Sequence, residues 1–281
     1  MILRNRRVAA WLACLVLLSC LLPLLSGCGH PETGDLTGVF MQLGKADSIL
    51  LYTADTTVLI DTGYEDSYDE IAAVLKREGR KKIDYLILTH YDRDHIGAAP
   101  EILRRYSVGE VLFPDVAATS DEYAALQSAM EETGVARHPM TTDCLLTLSP
   151  QCTMRVDATA LRGVDDENNT SLICEVNWGE FGLLLLGDAL KDRMEEYLGE
   201  TRGTYQVVKT PHHGDYFKKL ETCLAAVGAR DAVACIGAER EVEEKYEEMC
   251  RDLGITSWRT DLGEIRLIYH AATGEYTLSQ A

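Results

Sequence analysis

The sequence predicts an α/β fold: a four-layer αββα sandwich in which two mixed β-sheets pack face to face and helices cover the outside. Three observations predict it. The chain opens on short β-rich runs, it then alternates helices with strands, and this order occurs once in each half. No low-complexity linker separates the halves, so residues 38–281 read as one domain.

The elements follow from local pattern. "GVFMQLG", "SILLYTA" and "TVLIDTG" are short, β-rich and separated by turn residues, which predicts an antiparallel opening. "SYDEIAAVLKREG" carries Ile71, Val74 and Leu75 at helical spacing and ends on Gly79. "KIDYLILT" reads as a strand buried on both faces. "IGAAPEILRRY" and "DEYAALQSAMEETG" read as helices around the strand "VGEVLFP". In the second half, "CLLTLSP", "CTMRVDATAL", "SLICEVNW" and "FGLLLLGD" read as strands, followed by the helix "ALKDRMEEYLG". Strands "YQVVKT" and "DAVACIG" alternate with helices "FKKLETCLAAVG" and "REVEEKYEEMCRDLG", and "EIRLIYH" with "EYTLSQ" closes the chain. His138 before Pro139 reads as a loop residue and "RTDLGEI" as a tight hairpin, while Trp178, Trp258 and Tyr269 read as packing residues.

The first residues read differently. "MILRNRR" is basic, "VAAWLACLVLLSCLLPLL" is apolar, and "LSGC" closes the stretch with small residues before Cys28. This resembles the lipobox of bacterial lipoproteins. The resemblance implies a signal peptide over 1–27, a lipid on Cys28, a linker to residue 37, and a globular part exported and tethered to the outer face of the cell membrane. A plain membrane anchor is the alternative. Net charge is −18, with 27 Lys and Arg against 45 Asp and Glu, and the first 27 residues hold three arginines and no acid. Such a surface repels polyanions and disfavours non-specific duplex binding. Six cysteines follow Cys28. Export permits disulfides, and Cys144 with Cys152 could staple a hairpin, whereas Cys174 and Cys235 lie in apolar runs that suit free buried thiols.

Four segments carry the chemistry. In each, a hydrophobic strand ends and metal-capable residues follow at once: "LIDTG" (Asp61), "LILTHYDRDH" (His90, Asp92, Asp94, His95), "LLLLGD" (Asp188) and "VVKTPHHG" (His212, His213). Four of the seven histidines fall in two of these segments. A carboxylate at the end of "FGLLLLGD" needs a partner, because a buried charge left alone is costly. Nitrogen and oxygen donors without competing cysteine suit a dinuclear centre of divalent metal.

The order "HxDxDH", "GD", "HHG" resembles the metallo-β-lactamase superfamily. More closely it resembles the hydrolase domain of the ComEC competence family, through "MQLGKADSILL", "LIDTG", "IDYLILTHYDRDHIGA", "NNTSLICEVNWGEFGLLLLGD", "VVKTPHHGD" and "WRTDLGEI". The resemblance implies His90 and Asp92 on a first metal, Asp94, His95 and His213 on a second, and Asp188 bridging. Asn169 or its neighbour Asn168 stands where relatives place another histidine, as a weak ligand or substrate contact. Asp92 replaces a histidine, so the site is rich in oxygen and two ions of either zinc or manganese are expected. Asp61 is expected to orient a ligand imidazole, and Asp94, Asp188 and His212 to act in catalysis. Asp47 and Ser48 of "KADS" read as structural.

The expected function is a membrane-tethered, metal-dependent hydrolase that activates water on phosphodiesters, nuclease-like on single-stranded DNA. A small-molecule or cell-wall phosphodiesterase of phosphorylcholine esterase type is the enzymatic alternative, and a non-catalytic metal-binding surface protein is the other. The stretch "IGAEREVEEKYEEMC" departs from the family, whose members carry Asn and His there. Its Glu239, Glu241, Glu243 and Glu244 read as a solvated helix face.

Overall fold

Strand-helix alternation becomes two sheets with distinct inner and outer faces. The structure is a computed structural model and describes residues 35–200, 203–238 and 242–281. The signal segment, Cys28, linker residues 28–34, Glu239 and Glu241 lie outside the described residues. Among the described residues, no helix is long and apolar enough to cross a membrane.

β1 (Leu36–Phe40), β2 (Ile49–Tyr52) and β3 (Thr57–Ile60) form the antiparallel opening. Strand β1 thus begins two residues inside the stretch expected to be linker. Helix α1 (Tyr68–Arg77) leads to β4 (Lys82–Ile87), which joins β3 in parallel. The one-turn α2 (Arg93–Ile96), α3 (Ala99–Arg105), β5 (Ser107–Pro114), α4 (Asp121–Thr133) and β6 (Ala136–Met140) follow. The second half comprises β7 (Cys144–Ser149), β8 (Cys152–Asp157), β9 (Ile173–Trp178) and β10 (Phe181–Leu185). Then come α5 (Lys191–Leu198), β11 (Val207–Lys209), α6 (Lys218–Val227), β12 (Asp231–Ala234), α7 (Glu244–Leu253), β13 (Thr256–Arg259), β14 (Ile265–His270) and β15 (Glu275–Gln280). Among the described residues, one sheet has eight strands in the order β15-β14-β1-β2-β3-β4-β5-β6, and the other has seven, β13-β12-β11-β10-β9-β8-β7.

The unbroken apolar runs have a simple cause. Side chains alternate along a strand, and here both faces are covered. Leu51, Ile60 and Ile87 point between the sheets and meet Val176, Leu183 and Val207. Their neighbours Leu50, Leu59 and Leu86 pack outward against Ile71, Leu75 and Ile102. On the second sheet Leu184 and Val208 do the same against Met194, Leu224 and Met249. The four layers expected from the sequence are present.

Three local expectations change. His138 and Pro139 lie in β6, not in a loop; β6 pairs only with β5, and an edge strand tolerates proline. "RTDLGEI" is a crossover, not a hairpin. It carries the chain from β13 in one sheet through a 3-10 turn at Thr260–Leu262 to β14 in the other. Its Gly263 has φ 136°, and a Cβ there would sit 1.9 Å from the Ala281 carbonyl oxygen. Cys144 and Cys152 are not bonded: the β7–β8 register sets Cys144 opposite Val156 and Cys152 opposite Ser149, and all six described cysteines are free thiols.

A buried carboxylate ties α1 to the first sheet. Glu78 accepts from Tyr52 Oη at 2.7 Å, Arg77 Nε at 2.9 Å and both terminal nitrogens of Arg266 at 2.9 Å. Burial alone would raise its pKa, but the bonds from Arg266, Arg77 and Tyr52 win and lower it from 4.5 to about 2. A depressed carboxylate pKa gives stability that is complete above the unfolded value of 4.5 and lost as pH falls towards 2. Glu78→Gln is therefore expected to lower unfolding free energy by up to about 3 kcal/mol at pH 7, a difference that closes near pH 2. Denaturant melts of both proteins at the two pH values check this, and an equal gap at both would refute it.

Candidate metal centre

The site forms where strand tips of both sheets converge. Just past β4, Leu88 N–H donates to Leu112 O at 2.9 Å, and the chain bends at His90. The chain then turns into α2, which begins after Asp92 and brings Asp94 and His95 back towards the tip of β3. Backbone bonds fix this loop: Asp47 N–H donates to Asp94 O at 3.1 Å and Thr62 N–H to His95 O at 2.7 Å. From the second sheet, Asp188 follows β10 and His213 follows β11. A backbone bond crosses between the halves here, Leu172 N–H to Thr89 O at 2.8 Å.

Among the described residues, three that are not glycine adopt left-handed backbone: Asp61 (φ 57°), His212 (φ 47°) and His213 (φ 56°). Such residues are uncommon and cost free energy, and all three belong to the segments singled out in the sequence.

Side-chain geometry is convergent. Asp188 Oδ2 lies 3.2 Å from both His95 Nε2 and His213 Nε2. Asp94 Oδ2 is 3.4 Å from His213 Nε2. His90 and His95 have ring centroids 4.0 Å apart, and His90 Nε2 is 3.6 Å from Asp92 Oδ2. The other ring nitrogens are occupied. His95 Nδ1 faces Asp61 Oδ2 at 2.8 Å, His213 Nδ1 faces Cys235 O at 2.8 Å, and His90 Nδ1 lies 3.1 Å from Thr89 Oγ1. Asp61 in turn accepts from Thr89 N–H and Oγ1 at 2.8 and 2.7 Å.

With Nδ1 so engaged, the Nε2 atoms of His90, His95 and His213 are buried and directed at carboxylates 3.2–3.6 Å away, without a hydrogen bond of good geometry. Buried polar atoms are rarely left so, and three in one place call for an explanation. Combinations of His90, His95 and Asp188, and of Asp94, His95 and His213, place their donor atoms within 4.8 Å of one another. Four carboxylates, Asp47, Asp61, Asp94 and Asp188, are buried here against one buried ammonium, Lys209. That excess of negative charge needs cations. The donor set is nitrogen and oxygen, and it fits divalent ions.

The same charges set the protonation. For His213, burial favours the neutral ring, but Asp188 and Asp94 outweigh it and raise the pKa to about 9. His95 is raised well above the usual value by Asp188 and Asp61 against the same penalty. Asp94 and Asp188 are held below the carboxylate range by the facing imidazoles, although burial pushes the other way. The facing carboxylates thus favour a proton on each ring, and a divalent cation bound there would compete with it.

Placement differs for some residues. Asp92 sits at the rim with a side chain 41% exposed. His212 contributes its backbone N–H to Asp188 Oδ1 at 3.2 Å, while its ring turns to Asp215 Oδ2 at 2.7 Å. Asn169 Oδ1 accepts from Arg193 N–H at 3.1 Å in the first turn of α5, a capping role, whereas Asn168 Oδ1 is buried without a partner. Asp47 is not merely a strand-start residue: it binds Lys209 and stands 3.6 Å from His213 Nδ1. Sequence reasoning missed Lys209 as well. The signal was present, since each is a charge beside an apolar strand, the rule that singled out Asp188. Glu243 precedes α7 and accepts from Tyr216 N–H at 3.2 Å. An open cleft of about 490 Å³ lies beside Asp92 and Asp94, lined also by Lys45, Arg93, Glu122 and Glu167.

ComE operon protein 3 of Bacillus subtilis (strain 168) is 26% identical over 263 residues, covering 85% of this chain and 34% of that protein. Competence protein ComA of Neisseria gonorrhoeae is 28% identical over 235 residues, 78% of this chain and 30% of its own length. The chain thus spans about a third of the length of these relatives. The metallo-β-lactamase fold protein YhfI from Bacillus subtilis superposes with a TM-score of 0.57 over 87% of this chain and all of its own, at 12% identity, a likeness of fold. Residues 42–238, well over half of the chain and spanning every ligand candidate described above, match the sequence profile of one family. The protein belongs to the metallo-β-lactamase superfamily.

Proposed function

We propose that this protein is a metal-dependent phosphodiesterase, exported and held at the outer face of the cell membrane by a lipid on Cys28. The observation that carries the reading is the convergence of three buried imidazole Nε2 atoms, of His90, His95 and His213, with the carboxylates of Asp94 and Asp188. Divalent ions held there, zinc or manganese, would lower the pKa of a water and neutralise charge developing on the attacked phosphoryl oxygen. Asp94 and Asp188 orient that water. Lys45, 3.7 Å from Asp94, and Arg93 line the adjoining cleft and offer cations to non-bridging phosphoryl oxygens. The ring of His212, partly exposed and paired with Asp215, stands beside the centre as a proton donor to the leaving group. Covalent catalysis by cysteine finds no support, because burial pushes the thiols of Cys174 and Cys235 up, away from the reactive thiolate.

Likeness to competence proteins supports single-stranded DNA as substrate. A second reading, a small phosphodiester, is favoured by the acids Glu122 and Glu167 beside Lys45 and by Glu65 and Asp66 in the neighbouring cleft of about 650 Å³. Long polyanions meet repulsion there. The test compares bis-p-nitrophenyl phosphate with single-stranded DNA, using metal-stripped protein reloaded with Mn²⁺ or Zn²⁺. Turnover restored by metal is the expected result. A loaded protein inert on both substrates would make it a binding protein instead. For the anchor, Cys28→Ser is expected to move the chain from the membrane to the soluble fraction, and unchanged fractionation counts against the lipid.

A further inference from the structure

Asp188 presents its two oxygens unequally. Oδ2 lies 3.2 Å from both His95 Nε2 and His213 Nε2, between the two candidate ligand groups. Oδ1 is turned away, accepting from His212 N–H at 3.2 Å and lying 3.5 Å from the ammonium of Lys209. Lys209 has no freedom to leave. It is fully buried at the end of β11, donates to Gly187 O at 3.0 Å, and is bonded to Asp47 Oδ2. Asp47 is itself fixed by its backbone, receiving Gly63 N–H at 2.8 Å and donating to Asp94 O at 3.1 Å.

We propose that Lys209, anchored by Asp47, is a positioning residue that reserves Oδ1 of Asp188 and leaves Oδ2 alone to bridge the two cations. The inference rests on the metal-centre reading and specifies how that centre is set. A carboxylate between two cations is otherwise free to give one oxygen to each. The His212 amide draws on a lone pair of Oδ1 and the ammonium 3.5 Å away attracts its charge, and both oppose that arrangement. Lys209 has a second effect on the ligand set. Asp47 Oδ1 has no hydrogen-bond partner, and Asp47 falls within 4.8 Å of Asp188 and His213 donor atoms. The ion pair with Lys209 keeps this third carboxylate from displacing Asp94 or Asp188.

The test loads the metal-free full chain with Mn²⁺ and follows stoichiometry by calorimetry and spin coupling by electron paramagnetic resonance. Two variants are compared, Lys209→Met and Asp47→Asn/Lys209→Met. The double variant leaves no lone buried charge and so remains informative if the single variant fails to fold. Wild-type protein is expected to bind two ions as a coupled pair. In the variants the weaker ion is expected to bind at least about 10-fold more loosely, with the coupling altered, while circular dichroism shows the fold retained. Two ions at wild-type affinity and coupling in the double variant would overturn the role of Lys209 and leave the metal centre standing. Fewer than two ions in the wild type would overturn both.

Discussion

Asp188→Ala is expected to reduce phosphodiester turnover by roughly 10³-fold or more, about 4 kcal/mol of transition-state stabilisation, and to leave fewer than two bound ions. The reason is position. Among the described residues, Asp188 Oδ2 is the carboxylate oxygen that faces His95 and His213 at 3.2 Å each, and His95 and Asp188 also share a ligand group with His90. Its backbone is held independently of its side chain, since Asp188 N–H donates to Ser171 Oγ at 3.2 Å. Removing the carboxylate takes a partner from His95, His213 and Lys209, so circular dichroism is needed to show that the fold survives. Activity assays with metal analysis and circular dichroism on one preparation decide it. Full activity with two ions retained would exclude a bridging role.

Arg193→Ala is expected to carry the largest cost in stability, about 3 kcal/mol or somewhat more. This guanidinium is fully buried. It binds the Asp157 side chain and donates to Asp157 O at 3.0 Å, Ser171 O at 2.9 Å and Glu196 Oε2 at 2.9 Å. Truncation strands Asp157 and the Ser171 carbonyl in the interior. Arg155, 2.8 Å from the other Asp157 oxygen, softens the loss and keeps the estimate at the low end. For a domain of this size the melting temperature should fall by roughly 10 °C. Ser171 also holds Asp188, so metal affinity should weaken in parallel. A melting temperature within a degree or two of wild type would show that water replaces the arginine at little cost.

The sequence made the layers legible because apolar runs bounded by turn residues leave few alternatives. Each candidate ligand segment was visible because charge at the tip of an apolar strand violates the burial rule unless something binds there. What escaped was set by partners distant in sequence. β6 contains a proline and polar residues, and it is a strand only because β5 offers an edge. The crossover at "RTDLGEI" looks like a hairpin locally, and sheet membership is decided by pairing with β12 on one side and β1 on the other. Asp47 and Lys209, 162 residues apart, declare their roles only when they meet. The ring of His212 pairs with Asp215 at 2.7 Å while that of His213 faces the centre, a division that two adjacent histidines do not disclose.

That the donor atoms arrive from both β-sheets has a thermodynamic corollary. An unfolded chain cannot gather groups so far apart, so divalent ions held by these donors would recognise the closed sandwich and act as a latch between its halves. Free ion at a hundred times its dissociation constant would add about 2.7 kcal/mol to unfolding. On the proposed metal-dependent function, the metal supply surrounding the protein would govern its lifetime along with its chemistry.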